Sequence, residues 1–299
     1  MAVLGDLESE MRVIVVFILL VFNASCSSPK KINYSFFAAG HTYGSPMDKA
    51  HPKGLYKPFK DKISFINEDK NIRMGFLLGD VVWKPGNWDA ALEDISLFSD
   101  SIYFSRGNHD GTLKLFEKRF GKSYHSFNES NDLFIVLDSN LDRWNISEAQ
   151  LIFLKNTIRN KGKKARNIFI FIHHIIWWTT NKYSKPFPNS IHGRDKDVNY
   201  WSEIEPLLKK SGKAIYFFGG DLGAFSSEKR KKYYPIEYSY FKKDNITYIG
   251  TGMGGGIRDN FVVVDVLNSS EVNFRLIHLN GTNMSGLGQL EEYNTEDSF

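Results

Sequence analysis

Five short apolar segments in this sequence each run into a loop that carries a polar or ionisable residue within its first three positions. In layered α/β folds, ligands collect beyond the carboxyl ends of strands. We therefore expect the loops after these five segments to meet at one site. The segments, each read as a β-strand, are Ile32–Ala39, Met74–Leu78, Ser101–Ser105, Asn167–Ile172 and Ala214–Phe218.

Helical patterns lie between these strands. They cover Asn87–Phe98, Ser147–Asn160 and Trp201–Lys209, and Ser147 with Gln150 forms the sequence pattern of a capping box. Beyond Tyr233 the pattern predicts strands alone, at Ile236–Phe241, Ile246–Ile249, Phe261–Val266 and Val272–Leu276.

The aromatic content also favours sheet, since 24 Phe and 14 Tyr suit a pleated, half-buried surface. No internal repeat or long linker divides the chain. The predicted fold class is therefore α/β, a single domain over residues 32–280 with a layered β-sandwich core flanked by helices.

The first 26 residues have the pattern of an export signal. Met11 and Arg12 precede an unbroken apolar run of ten residues, Val13–Phe22, which is too short to span a bilayer. Met11 is the expected true start. Cys26, the only cysteine, stands where a bacterial lipoprotein carries its lipid, but Asn23 occupies a place where such signals usually have Leu.

Two interpretations of Cys26 therefore stay open, a lipidated anchor and an ordinary secretory signal with an incidental cysteine. In both, we expect an exported protein of the periplasm or cell envelope, attached to the membrane if Cys26 is lipidated. Residues 27–31 are predicted to be a linker and residues 281–299 a polar tail.

The net charge of +4 is mild. Its basic clusters, Lys161–Lys164 and Lys229–Lys232, have no accompanying aromatic platform on which bases could stack. We interpret them as solvated loop residues and expect no nucleic-acid partner.

The residues at the ends of the five strands are ligands that a divalent metal ion accepts. Carboxylate and amide oxygens and imidazole nitrogens bind such ions. The five candidates are His41, Asp80, Asn108, His173 and Asp221.

Several stretches of the chain resemble the calcineurin-like metallophosphoesterases, a family that includes purple acid phosphatases and cyclic-nucleotide phosphodiesterases. The resemblance covers roughly residues 33–277. It rests on Leu77-Leu78-Gly79-Asp80, Arg106-Gly107-Asn108-His109-Asp110, Ile135-Val136-Leu137-Asp138-Ser139, Phe171-Ile172-His173-His174 and Tyr248-Ile249-Gly250-Thr251-Gly252.

The resemblance implies a role for each matching residue. Asp80 corresponds to the carboxylate that bridges two metal ions, and Asn108 and His173 correspond to ligands of the second ion. His109 corresponds to the acid that protonates the leaving alkoxide, and Asp110 to a residue that orients it.

Two motifs depart from the family pattern. The opening Asp-x-His is replaced by Gly40–Gly44, with His41 at the Asp position and Tyr43 at the His position. A shifted register instead puts Ala39 at the Asp position. The closing Gly-His-x-His is replaced by a segment in which Asp221 stands for the first His and Gly223 for the second.

After these exchanges the second ion keeps four donors: Asp80, Asn108, His173 and Asp221. The first ion keeps only His41 and the shared Asp80. We expect one firmly held divalent ion and a second that is weak or absent. The oxygen-rich ligand set favours manganese, magnesium or calcium over zinc, with iron also open.

Some candidates have structural alternatives. Asp221 follows two glycines and could be a turn residue, His41 could be a strand-end residue, and His174 is expected to be structural.

Three further residues are candidate substrate contacts at the rim. Trp83 follows Asp80 by three positions and could line the cleft. His192 and Arg194 could contact a phosphate, with a solvated loop as the alternative.

Three functions fit these observations. The first is metal-dependent hydrolysis of a phosphate monoester or diester outside the cytoplasm. Its substrate would be a small molecule or a glycan. The second is a catalytically impaired relative that binds phosphorylated or acidic envelope ligands. The third is a metal-free scaffold protein of the envelope.

Overall fold

Two β-sheets stacked face to face form the centre of the protein. The computed structural model describes residues 31–44, 51–179, 188–223, 238–255, 259–279 and 288–289. The first sheet contains β1 (Ile32–Ala39), β2 (Ile72–Leu78), β3 (Ser101–Ser105), β10 (Asn260–Leu267), β11 (Val272–His278) and β12 (Gly288–Gln289). The second contains β4 (His125–Glu129), β5 (Asp132–Val136), β6 (Asn167–Ile172), β7 (Ala214–Leu222), β8 (Tyr238–Lys243) and β9 (Ile246–Gly252).

The strand order places the predicted strands beside one another. Among the described residues the first sheet runs β12-β11-β10-β1-β2-β3 and the second runs β4-β5-β6-β7-β9-β8. β1, β2 and β3 are parallel neighbours, as are β5, β6, β7 and β9. Each sheet therefore gathers the carboxyl ends of several strands at one edge.

Phenylalanine side chains fill the space between the sheets. Phe36 of β1 is fully buried. Its ring makes edge-to-face contacts, at centroid distances of 5.0 to 6.1 Å, with Phe76, Phe134, Phe169, Phe171 and Phe218. Such pairs add stabilisation beyond area burial. Their place in the sandwich agrees with the sheet that the high aromatic content favours.

Helices cover both outer faces. The first sheet carries α1 (Lys57–Lys60), α2 (Ile63–Glu68), α3 (Trp88–Ile95) and α4 (Leu113–Phe120), which contribute residues to one buried cluster with β1, β2 and β10. The second carries α5 (Glu148–Asn160) and α6 (Glu205–Lys210), which pack on β5, β6 and β7. Central strands such as β5, β6 and β10 are buried on both faces and therefore read as continuous apolar runs.

This architecture confirms the predicted α/β fold, a layered sandwich flanked by helices in a single domain. All described elements lie in the compact unit Ile32–Phe299. Three shorter helical turns connect them, two of 3₁₀ type and one π-helix, at Pro85–Asn87, Gly162–Lys164 and Tyr200–Ile204.

Two local expectations need correction. Ser147 occupies the N-cap position of α5, but its hydroxyl bonds Asp142 instead of capping the helix. The Gln150 side-chain amide accepts from the Asp138 backbone N–H and donates to the Asp138 carbonyl, so no capping box forms. β7 continues through Asp221, because its pairing with β9 extends to Leu222, and Asp221 is therefore a strand residue and not a turn residue.

Some predictions fall outside the described residues. These are the leader 1–26 with Cys26, most of the linker 27–31, the cluster Lys229–Lys232 and all but two residues of the tail 281–299. Over the parts of the chain that the structure does describe, no helix is both long enough and apolar enough to cross a bilayer.

Candidate metal centre

The ends of five strands bring the five predicted ligands into one cluster. His41, Asp80 and Asn108 follow β1, β2 and β3 of the first sheet. His173 follows β6 of the second sheet, and Asp221 lies near the end of β7. The cluster therefore lies where the carboxyl ends of strands from both sheets meet.

Close backbone approach makes this meeting possible. A side chain at Gly40 would place its Cβ 2.2 Å from the carbonyl oxygen of Gly220, and one at Gly107 would place it 2.0 Å from the Asp80 nitrogen. His41 and Asp80 both have left-handed backbone, with φ of 53° and 50°. Such conformations are uncommon outside glycine and concentrate at functional sites.

His41 lies between two buried carboxylates. Its Nε2 is 3.2 Å from Asp80 Oδ2 and 3.3 Å from Asp221 Oδ1, and its Nδ1 contacts the carbonyl of Gly223. Burial acts to lower the pKa of His41, but Asp221 and Asp80 outweigh it and raise the pKa to about 10.

His173 faces three oxygen acceptors. Its Nδ1 donates to the Leu78 carbonyl at 2.9 Å, so in the neutral ring Nε2 carries a lone pair. That nitrogen lies 3.1 Å from Asn108 Oδ1, 3.5 Å from Asp80 Oδ1 and 4.0 Å from Asp221 Oδ1. Lone pairs that face one another without a proton between them fit a cation.

Three of the four carboxylate oxygens of Asp80 and Asp221 also lack a hydrogen-bond donor within the described part of the chain. Among the described residues, neither Asp80 Oδ2 nor either Asp221 oxygen has a partner with hydrogen-bond geometry, although all three are buried. Burial acts to raise the pKa of Asp80, but His173 and His41 lower it below its usual range. Buried charges need a counter-charge, and a divalent ion held by Asp80, Asn108, His173 and Asp221 would supply it.

His174 belongs to the wall behind this cluster. Its Nδ1 lies 2.7 Å from Ser139 Oγ, and its ring stacks on Trp144 at 4.4 Å. Burial, together with the neighbouring His173, lowers its pKa well below the usual range, so the ring is neutral. This packing agrees with the structural role expected for it.

His109 stands at the mouth of the cluster with 30% of its side chain exposed. Its backbone N–H donates to Asp80 Oδ1 at 3.0 Å. Its Nδ1 lies 2.9 Å from the Trp83 carbonyl, and its Nε2 lies 3.9 Å from Asp80 Oδ2. The carbonyl fixes the proton on Nδ1 and leaves Nε2 facing the site.

The expected orienting contact from Asp110 to His109 is absent from the hydrogen bonds of the described residues. The Asp110 carboxylate instead accepts from the backbone N–H groups of Gly107, Val81 and Val82, at 2.7, 2.8 and 3.2 Å. Burial and the charge of Asp80 raise its pKa to about 6. Asp110 therefore ties two loops together, and the Trp83 carbonyl orients His109.

Aromatic rings form the rim beside His109. The Trp83 indole stacks on the His109 ring at 4.8 Å and is 38% exposed. Tyr43 stands at the His position of the altered opening motif. Its ring centroid lies 5.4 Å from that of Trp83 and 5.8 Å from that of His109.

Arg194 is engaged elsewhere. Its guanidinium donates to the carbonyls of Trp178, Asp195 and Lys196 and lies over the ring of Trp178 at 5.4 Å. The expected phosphate contact is therefore not supported, because carbonyl oxygens occupy these donors. His192 is exposed, and its backbone N–H donates to Ser190 Oγ.

Asn189 is a site residue that sequence reasoning missed. Its Nδ2 lies 3.4 Å from His41 Nε2, and its backbone N–H donates to the Asp221 carbonyl at 2.8 Å. Its one sequence signal is its place in the loop that carries the rim candidates His192 and Arg194.

Comparison with solved structures supports the fold through one neighbour. Purple acid phosphatase PPD1 of yellow lupin (Lupinus luteus) superposes with a TM-score of 0.60 at 14% identity, over 84% of this chain and 52% of that protein. The chain thus spans about half of that protein's length. Vps29 of Chaetomium thermophilum gives a TM-score of 0.37 at 9% identity, over 82% of this chain and 87% of that one. A search of curated proteins gave no match.

The sequence itself matches a model of the calcineurin-like phosphoesterases over residues 31–249, which is most of the chain. That span includes all five clustered ligands and His109. The chain belongs to the calcineurin-like phosphoesterase family.

Proposed function

We propose that this protein is a metal-dependent hydrolase of phosphate monoesters or diesters that holds one divalent ion firmly. The observation that carries the proposal is the cluster of acceptors around the buried His173 Nε2, in which the oxygens of Asn108 and Asp80 lie 3.1 and 3.5 Å away. A divalent ion in such a site neutralises phosphate charge and lowers the pKa of a water molecule.

The protein's own residues supply the remaining chemistry. His109 has its Nδ1 proton fixed by the Trp83 carbonyl, so Nε2 is the atom that delivers a proton to the leaving alkoxide. Asp80, buried and bonded to the His109 backbone, holds the position of that imidazole relative to the ion.

The number of ions follows from the donors present. Oxygens of Asp80, Asn108 and Asp221 all lie within 4.0 Å of His173 Nε2, and these four residues are the donors expected for one ion. Gly223 offers no side chain to the other ion. His41, with Asp80, is what remains of the first site. A second ion is therefore expected to bind weakly.

The place of action is inferred from the sequence. The apolar run Val13–Phe22 followed by Cys26 supports export to the periplasm or cell envelope, with lipid anchorage through Cys26. The substrate would then be a small-molecule or glycan phosphoester outside the cytoplasm.

The test is metal analysis combined with a substrate screen on purified protein. We expect about one equivalent of manganese or a similar ion and manganese-dependent turnover of phenyl phosphate or bis(4-nitrophenyl) phosphate. The His173→Ala variant should lose both, whereas the exposed Asp61→Ala variant should keep both. Bound metal without turnover of any ester would refute the hydrolase.

A binding protein is the second candidate, and one observation favours it. His41 Nδ1 contacts the Gly223 carbonyl, in a segment that offers no side-chain donor from Gly223. A site that lacks this donor could hold an ion and a phosphorylated ligand without turnover. Ligand binding that requires metal, in a protein inactive on every ester, would support this candidate.

A further inference from the structure

Trp83 is unusual in its exposure. Among the Phe, Tyr and Trp side chains that the structure describes, it is the only one in the exposed class, at 38%. The next three residues, Lys84, Pro85 and Gly86, are exposed as well. A single exposed apolar side chain is ordinary on a protein surface, so its exposure alone shows nothing.

Its location gives the exposure meaning. The Trp83 ring stacks on the His109 imidazole with centroids 4.8 Å apart and planes 26° apart. The same imidazole reaches toward Asp80 with Nε2 3.9 Å from Oδ2. The open part of the indole therefore borders the group that the proposed function uses to protonate the leaving alcohol.

The direction of the leaving alcohol follows from that chemistry. A proton donor must lie within hydrogen-bond reach of the oxygen it protonates. The leaving oxygen is then beside His109 Nε2, and the rest of the alcohol extends past the imidazole, where the indole lies. Aromatic rings stack on exposed indoles in offset or tilted geometry.

We propose that Trp83 is a specificity-determining residue that stacks on a flat aromatic ring carried by the leaving alcohol of the substrate. This inference rests on the proposed function, because it uses the role of His109. The ring could belong to a nucleobase or to a simple aryl group, and both offer the same flat π-face. A stacking platform of this kind tolerates different rings, because it makes no hydrogen bonds to their edges.

A role in positioning alone is the competing explanation. Because the indole stacks on His109, its loss could misplace the imidazole and slow every substrate equally. Substrate pairs with the same kind of leaving oxygen separate the two explanations. Adenosine 5′-monophosphate and ribose 5-phosphate both release a primary alcohol, as do benzyl phosphate and butyl phosphate, and in each pair only the first carries an aromatic ring.

The experiment measures kcat/KM for both pairs with manganese-loaded protein. We expect the parent to favour the ring-bearing substrate in at least one pair, and that pair identifies the source of the ring. Trp83→Ala should lower kcat/KM for that substrate by about 5- to 100-fold more than for its ringless partner, the usual range for loss of a stacking contact. Trp83→Phe should retain most of the preference, and Ile152→Ala, an exposed change on α5, should leave it unaltered.

Two outcomes would overturn the proposal: no ring preference in the parent, or an equal loss for both members of the pair in Trp83→Ala. If no ester is hydrolysed, the proposed function fails, and a binding measurement decides the stacking role. Adenosine and benzyl alcohol should then quench tryptophan fluorescence more in the parent than in Trp83→Phe. Equal quenching in the parent and in Trp83→Phe would refute the stacking site itself.

Discussion

His41 Nε2 lies 3.2 Å from Asp80 Oδ2, and both residues hold left-handed backbone at the ends of adjacent parallel strands. The same nitrogen lies 3.3 Å from Asp221 Oδ1 on the other sheet. In the metal-free protein an imidazolium here supplies the positive charge that the two carboxylates require. A proton on His41 and a metal ion at this centre would therefore neutralise the negative charge of the same two carboxylates.

The first prediction concerns the stability of metal-free protein against pH. The pKa of His41 is about 10 in the folded protein, against 6.5 for a histidine in the unfolded chain. The folded state keeps this proton between those values while the unfolded state loses it, so the stabilisation is complete below pH 6.5 and is lost as pH rises through about 10.

Denaturant unfolding at a series of pH values measures this effect. The free energy of unfolding should fall across that window with a slope of up to about 1.4 kcal/mol per pH unit. The slope should vanish in His41→Asn, because asparagine does not titrate. Asparagine is the replacement of choice because it tolerates the left-handed backbone. It should persist in His192→Asn, an exposed control. A parent protein without the slope would contradict a charged His41.

The second prediction concerns His109 as proton donor. His109→Ala should keep its metal but lose about 10²- to 10⁴-fold in kcat for alkyl phosphates, the usual contribution of a general acid. The loss should shrink for 4-nitrophenyl phosphate, because its leaving group needs no proton. Steady-state kinetics with both substrates test this, and an equal loss on both would indicate a positioning role.

The third prediction concerns Asp221, which the structure places in β7 with both oxygens buried. Asp221→Ala should weaken metal binding at least 10- to 100-fold, because mutation of residues that merely hydrogen-bond to a metal ligand already has about that effect. Asp221→His should move the preference toward zinc, because it replaces an oxygen ligand with nitrogen. Calorimetric titration with manganese and zinc measures both, and Asp61→Ala is an exposed control. Unchanged affinity in Asp221→Ala would remove Asp221 from the ligand set.

The fourth prediction follows from the hydrogen bonds of Asp110. Asp110→Asn weakens a buried acceptor of three backbone N–H groups and should cost about 1 to 3 kcal/mol of stability. Thermal unfolding measures that cost. The acidic limb of the pH–rate profile should stay in place. A displaced limb in a variant of unchanged stability would instead assign Asp110 the orienting role.

Most strands were predictable because they are apolar runs that pack into the sandwich. β1, β3 and β6 have the bounds expected from their apolar runs, and the ligands at their ends could be located from the same pattern. β4 was missed because its sequence, His125–Glu129, is polar and half-buried at the edge of its sheet. The pattern of apolar residues carries no signal for such a strand.

The contacts of single side chains were less predictable. Arg194 bonds the carbonyl of Trp178, 16 positions away, and Asn189 reaches His41 from a distant loop. Such contacts depend on how loops fold over the strand ends, which local spacing does not encode. Residues on the strand ends were predictable because the sheet itself brings them together.

Metal content of Asp80→Asn is the most direct test of the centre. Asp80 contacts His41, His109 and His173 and has a buried oxygen without a hydrogen-bond partner among the described residues. Asparagine keeps the left-handed backbone that alanine would strain. The protein should purify folded, with an unchanged circular dichroism spectrum, but with its metal lost and its turnover abolished, while Asp61→Asn keeps both. An Asp80→Asn protein that binds a full equivalent of metal would contradict the account.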